Sequence, residues 1–127
     1  MVIAREEGSN GQKCGHATPG DYHEAMSSRL ETLRGMIAAD PKNSFVRYAL
    51  ATELVKAGQV QDAVTEFRGL IADDPNYSAA YYHGGRALES LGHLDAARSL
   101  YEEGIAATMK NGDTHTRSEL QAALDLL

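Results

Sequence analysis

Apolar residues return along this chain with a helical period. Met26, Leu30, Leu33 and Ile37 fall at i, i+4, i+7 and i+11, one apolar stripe that predicts a helix from about Tyr22 to Ala39. Asp40-Pro41 stops it, because the residue before a proline is pushed out of the helical region. Asp21 and Ser28 are both candidate caps for its start. A helix over about Ser44 to Ala57 follows and ends at Gly58, and another from about Val60 to Asp73 ends at Asp74-Pro75. Only Gly58-Gln59 separates these two, so they fold back as an antiparallel pair. Leu50, Ala51 and Leu54 then face Ala63, Phe67 and Leu70, and Phe67 fills the space toward the next pair. That next pair runs over about Ser78 to Leu91, with Gly92 as the stop, and Leu94 to Met109. A last helix, from about Thr114 to Leu127, carries Leu120, Ala123, Leu124 and Leu127 on one face. Thr116 and Glu119 have capping-box spacing there, with Asp113 as the rival cap.

The two pairs are copies. At an offset of 34 residues Ser44/Ser78, Tyr48/Tyr82, Leu54/Leu88, Gly58/Gly92, Ala63/Ala97, Ile71/Ile105 and Ala72/Ala106 are identical. A fixed period of this length marks a stacked helical repeat. Gly84 and Gly85, adjacent inside a helix, cost about 1 kcal/mol each against alanine. Tight packing against a neighbouring helix is the simplest account of their presence, and a functional hinge is the alternative.

These positions resemble the tetratricopeptide repeat family, whose pattern reads Trp-x2-Leu-Gly-x2-Tyr, then Ala-x3-Phe, then Pro. Those places hold Arg47, Leu50, Ala51, Leu54, Ala63, Phe67 and Pro75 in the first repeat. In the second they hold Tyr81, Gly84, Gly85, Leu88, Ala97, Tyr101 and Met109. Residues 22–43 look like the second half of a degenerate earlier repeat, and the whole chain is similar to the small stand-alone bacterial members. The resemblance implies an all-α helix-turn-helix solenoid: helix 22–39, repeat 44–77, repeat 78–111 and a capping helix 114–127. These form a single domain, 21–127, behind a flexible tail, 1–20. It also implies a non-enzymatic adaptor whose concave groove holds a peptide or a segment of another protein. Carried over by position, the groove residues are Phe45, Tyr48, Thr52, Val55 and Lys56, then Ala79, Tyr82, Arg86 and Glu89. One subset of the family grips acidic C-terminal tails with lysine, asparagine and arginine. Arg86 occupies one suitable position, whereas Tyr48, Thr52 and Tyr82 depart from that clamp; Arg86 with Lys56 still favours an acidic or carboxylate-bearing segment.

The residues point the same way without the resemblance. Phe45, Tyr48 and Val55 form a second apolar stripe on a helix whose core stripe is already supplied by Leu50, Ala51 and Leu54. That face packs on the preceding helix or on a partner, and tyrosine with arginine is typical of binding hot spots.

Charge narrows the partners. Twelve basic and 18 acidic residues among 127 give a net charge of −6, which disfavours nucleic acid and anionic lipid. No apolar run approaches the roughly 18–20 residues that span a bilayer. The start, Met1-Val2-Ile3-Ala4 followed by Arg5-Glu6-Glu7, lacks the apolar stretch of a secretory signal. The single cysteine, Cys14, has no internal partner, and the expected location is the cytoplasm. Cys14 and His16 lie in the glycine-punctuated tail and fall short of the about four ligands a structural zinc site needs. Residues 1–25 are expected to be dispensable for folding, because Met26 opens a plausible start of its own.

Chemistry is not legible. His16, His23, His83, His93 and His115 are scattered, with His83 nearest the groove. No His-Glu-x-x-His, phosphate-binding loop or nucleophile elbow occurs. Glu102-Glu103 reads as solvated charge and Asp73-Asp74 as a helix end. The expectation is therefore no catalytic residue, no metal and no cofactor. The competing expectation to an adaptor is a self-associating, homodimeric helical module, since arrays usually need about three repeats for stability.

Overall fold

The computed structural model describes residues 19–127, and these hold helices and no strand. The order is α1 (Pro19–Ala39), α2 (Ser44–Lys56), α3 (Val60–Asp73), α4 (Ser78–Ser90), α5 (Leu94–Asn111) and α6 (Thr114–Asp125). The tail expected over 1–20, with Cys14 and His16, lies outside the described residues except that Pro19 and Gly20 belong to α1. Proline suits a first helical turn, where its missing N–H has no intrahelical partner to lose. Ser28 is interior to α1, where its carbonyl accepts from Thr32 Oγ1 at 3.0 Å, so it does not cap the helix.

The turns inside the two pairs are the same device. Gly58 and Gly92 sit at φ 82° and 81°, the left-handed region that favours glycine. Around each, two backbone N–H groups return to the end of the preceding helix. Gly58 donates to the Val55 carbonyl at 3.0 Å and Gln59 to Leu54 at 2.9 Å. Gly92 donates to Glu89 at 2.9 Å and His93 to Leu88 at 3.0 Å, the same Schellman closure. The starts of α2 and α6 are capped by side chains: Asn43 Oδ1 accepts from Val46 N at 3.1 Å, and Asp113 Oδ1 from Thr116 N at 3.0 Å. Asp113, not Thr116, is therefore the cap of α6. Methionine at 109, where the first repeat has Pro75, does not stop α5. The helix runs 18 residues against 14 in α3 and ends at Gly112, φ 80°. As a result α6 begins 36 residues after α4, whereas α4 begins 34 after α2.

Each helix packs on its neighbour in sequence, and α2 meets α4 as α4 meets α6. Leu50, Ala51 and Leu54 join Ala63, Phe67 and Leu70 in one core cluster, which Leu30 of α1 and Ala80 of α4 complete. The second cluster gathers Tyr81, Leu88, Ala97, Leu100, Tyr101 and Leu120. Burying an aromatic or leucine side chain contributes about 1.5–3 kcal/mol, so Phe67, Tyr101 and Leu120, all with no exposed surface, are principal supports. The glycines set the helix spacing. A Cβ on Gly84 would lie 2.9 Å from Leu100 Cδ2 and 3.2 Å from Phe67 Cβ; one on Gly85 would lie 2.7 Å from Tyr101 Cδ1. Gly104, which the repeat pattern does not single out, lets Tyr81 and Leu120 approach in the same way. Arg47 occupies the family's tryptophan place. It lies over Gly69 and pairs with Asp73, while Ser44 Oγ donates to Asp74 at 2.9 Å, tying the end of α3 to the start of α2.

A groove across three helices

Because α4 contacts both α2 and α6, one face of the stack presents three helices side by side. Two hollows lie between them. The first, of about 340 Å³, is walled by Thr52, Val55 and Lys56 of α2 and by His83, Arg86, Ala87 and Ser90 of α4, with Phe67 of α3 beneath. The second, of about 300 Å³, is walled by Tyr82, Arg86 and Glu89 of α4, by Glu119, Ala122 and Ala123 of α6 and by Leu126 just after it. Arg86 belongs to both and stands on the ridge that divides them.

An aromatic cluster braces this face. The Tyr48 ring centroid is 5.5 Å from His83, 5.5 Å from Tyr77 and 6.3 Å from Phe67, and His83 meets Tyr82 edge-on at 5.2 Å. Tilted and edge-to-face rings at these separations are the favoured aromatic geometry. Burial lowers the His83 pKa below the ordinary 6.5; Glu119 pulls it back up and Arg86 pushes it further down. Tyr48 is raised by burial and then by the Glu119 charge. Arg86 Nη1 donates to Tyr82 Oη at 3.0 Å, and its guanidinium carbon lies 5.9 Å from the Tyr82 ring centroid. Behind the ridge the buried Tyr101 hydroxyl donates to the Glu89 carboxylate. Burial and that hydrogen bond push the Tyr101 phenol far up, so it remains a donor throughout the neutral range.

The nine residues expected in the groove divide by position. Thr52, Val55, Lys56 and Arg86 wall the first hollow; Tyr82, Arg86 and Glu89 wall the second. Phe45, Tyr48 and Ala79 wall neither. Phe45 is 68% exposed at the start of α2, and Tyr48 is half-buried against the first core cluster. The 34-residue pattern does not reveal the α6 wall, because it makes α6 a cap alone. Its signal is the 36-residue step: Ala122 stands to α6 as Thr52 does to α2 and Arg86 to α4. Among the described residues no group of three or more His, Cys, Asp or Glu is arranged to hold a metal ion. No helix among them is long and apolar enough to cross a membrane.

Antiparallel helix pairs stacked at a 34-residue step, with their first helices aligned along a groove, define a helical-repeat scaffold. The chain belongs to the tetratricopeptide repeat family, whose model, described as Tetratricopeptide repeat, matches residues 48–112. It is 30% identical over 95 residues to a TPR repeat-containing protein of Pseudomonas aeruginosa, spanning 75% of this chain and 90% of that one. Among solved structures it is similar to a tetratricopeptide repeat domain protein from Salinibacter ruber. That NMR structure is 39% identical with a TM-score of 0.64, over 67% of this chain and 86% of that one. A protein from Bordetella parapertussis is 31% identical with a TM-score of 0.66, over 76% and 84%. Repeats of this family generally mediate protein–protein interaction, and the fold is generally a non-catalytic scaffold.

Proposed function

We propose that this chain is an adaptor that seats a peptide or protein segment across α2, α4 and α6, in the cytoplasm of a bacterial cell and without catalysis. The observation that carries this reading is the pair of hollows joined at Arg86. Each is at the lower end of the range for small-molecule pockets, about 300–1,000 Å³. Hollows of that size in series suit side chains that share one face of an extended segment. The ridge between them offers tyrosine and arginine, the residue types that dominate binding hot spots. A photo-crosslinking amino acid at Val55, compared with one at the exposed Thr65 on α3, tests the reading in cells. The expected result is a discrete protein adduct at Val55 alone, lost when Tyr82→Ala and Arg86→Ala are added while helicity is kept. Equal labelling at both positions, or an adduct indifferent to the two substitutions, would overturn it.

The second reading, a homodimeric module, is favoured by one observation: Phe45, 68% exposed, walls neither hollow. Under that reading a crosslinker placed at Phe45 joins two copies of this chain.

A further inference from the structure

The two hollows carry opposite charge. The first has Lys56 and Arg86 on its walls and no carboxylate, beside the apolar surfaces of Val55, Phe67 and Ala87. The second adds Glu89 and Glu119 to the shared Arg86. We infer that the groove selects a bipolar segment. Its acidic side chain, next to an apolar one, occupies the α2–α4 hollow, and its basic side chain, about three residues away, faces the α4–α6 hollow. This deepens the groove reading and rests on it.

The spacing follows from helix packing. Neighbouring helices lie about 8–10 Å apart, and a segment in the polyproline II conformation advances about 3.1 Å per residue with three residues per turn, so side chains three residues apart share one face and reach from one hollow to the next. The charges are available for a partner. Of the five guanidinium N–H donors of Arg86, one is engaged with a described side chain, Tyr82. Lys56 is 3.5 Å from Glu53, a carboxylate that also binds Arg29 at 3.2 Å, and the Lys56 side chain stays 64% exposed. On the other side the Tyr101 hydroxyl occupies part of the Glu89 carboxylate and leaves it further lone pairs. Because Tyr101 has no exposed surface, the donor that orients Glu89 cannot swing into solvent. Glu119 lies 3.6 Å from the imidazole of His115, a side chain that is 86% exposed, and is itself 46% exposed. A uniformly acidic segment meets Glu89 and Glu119, and a uniformly basic one meets Lys56 and Arg86. Like charges brought together at an interface suppress wrong partners, so only the mixed pattern satisfies both hollows.

The test is a random peptide library displayed on phage and panned against the full chain. The expected winners carry an acid and a base about three residues apart, in either chain direction. A synthetic winner should bind with about fivefold weaker affinity for each of its two charges replaced by an amide, the effect of one exposed charged contact. Arg86→Gln with Lys56→Gln should abolish the preference for the acid, and Glu89→Gln with Glu119→Gln the preference for the base, each with circular dichroism unchanged. Winners that need Tyr82 but show no charge pattern, or only one sign of charge, overturn the bipolar inference and leave the groove reading standing. If no winner is sensitive to Tyr82→Ala, both fail.

Discussion

A single missing methyl group governs how closely α4 approaches α5, and substitution tests it directly. Alanine gains about 1 kcal/mol over glycine in a helix interior. At Gly35 nothing lies within 4 Å of the added Cβ, so Gly35→Ala should keep that gain. At Gly85 the Cβ would meet the Tyr101 ring, which is fully buried and has nowhere to move. Overpacking of this kind costs about 1–3 kcal/mol. Gly85→Ala should therefore melt several degrees below the parent and Gly35→Ala above it, at about 4–8 °C per kcal/mol for a domain of this size. The repeat pattern made Gly84 and Gly85 legible, because two glycines inside a helix need a packing reason. Gly104 was not: the first repeat has Leu70 in its place, and of the two side chains that need it, Tyr81 and Leu120, the second comes from α6 beyond the change of register. His83 gives the residue-scale prediction in pH. Its folded-state pKa is lowered, so the unfolded chain takes up the proton first, and stability falls as pH drops through the ordinary imidazole range near 6.5. An NMR titration should place the His83 midpoint below 6.5. Arg86→Ala should raise it and Glu119→Gln lower it; the reverse order would mean that Glu119 and Arg86 do not face the ring as described.

The elements at the two ends of the stack were legible to different depths. The α1 stripe of Leu30, Leu33 and Ile37 was readable from period alone, and it packs on the first core cluster with Leu30 as its buried residue. The proposal that residues 1–25 are dispensable now has a physical form. A chain starting at Met26 keeps that stripe, so it should still melt cooperatively and show the far-ultraviolet spectrum of a helical protein. Loss of a cooperative transition would mean that the first two turns of α1 supply burial the rest cannot replace. At the other end, the sequence reading of α6 as a terminal cap agrees with the burial of Leu120. Its second role escaped that reading because the extra turn of α5 moves α6 out of the 34-residue frame. Groove positions carried over at 34 residues miss Glu119, Ala122 and Leu126. The physical cause is one residue, Met109 in the place of a helix-stopping proline.

At the scale of the whole molecule, the question is whether so short an array stands alone. Arrays of this kind need their end faces covered, and here both are: Leu30 of α1 and Leu120 of α6 are buried at either end of the two core clusters. Among the residues whose side chains are described, the large apolar ones left exposed are Met36, Phe45, Val55, Leu94, Met109 and Leu126, drawn from α1, α2, α5 and the residue after α6, with Leu94 and Met109 near opposite ends of α5. A stable dimer buries about 1,200–2,000 Å² in one continuous patch, and residues dispersed in this way do not build one. The net charge of −6 adds mutual repulsion between copies. Light scattering should therefore return 13.7 kDa at every concentration, and the thermal midpoint should not rise with concentration, as it does when association stabilises the fold. A doubled mass would favour the homodimeric reading, and Phe45→Ser then separates two cases. If the substitution restores the monomer, the contact runs through the start of α2 and leaves both hollows open to a partner. If the dimer persists and the Tyr82→Ala, Arg86→Ala chain is monomeric instead, the groove is occupied by the protein itself and the adaptor reading fails.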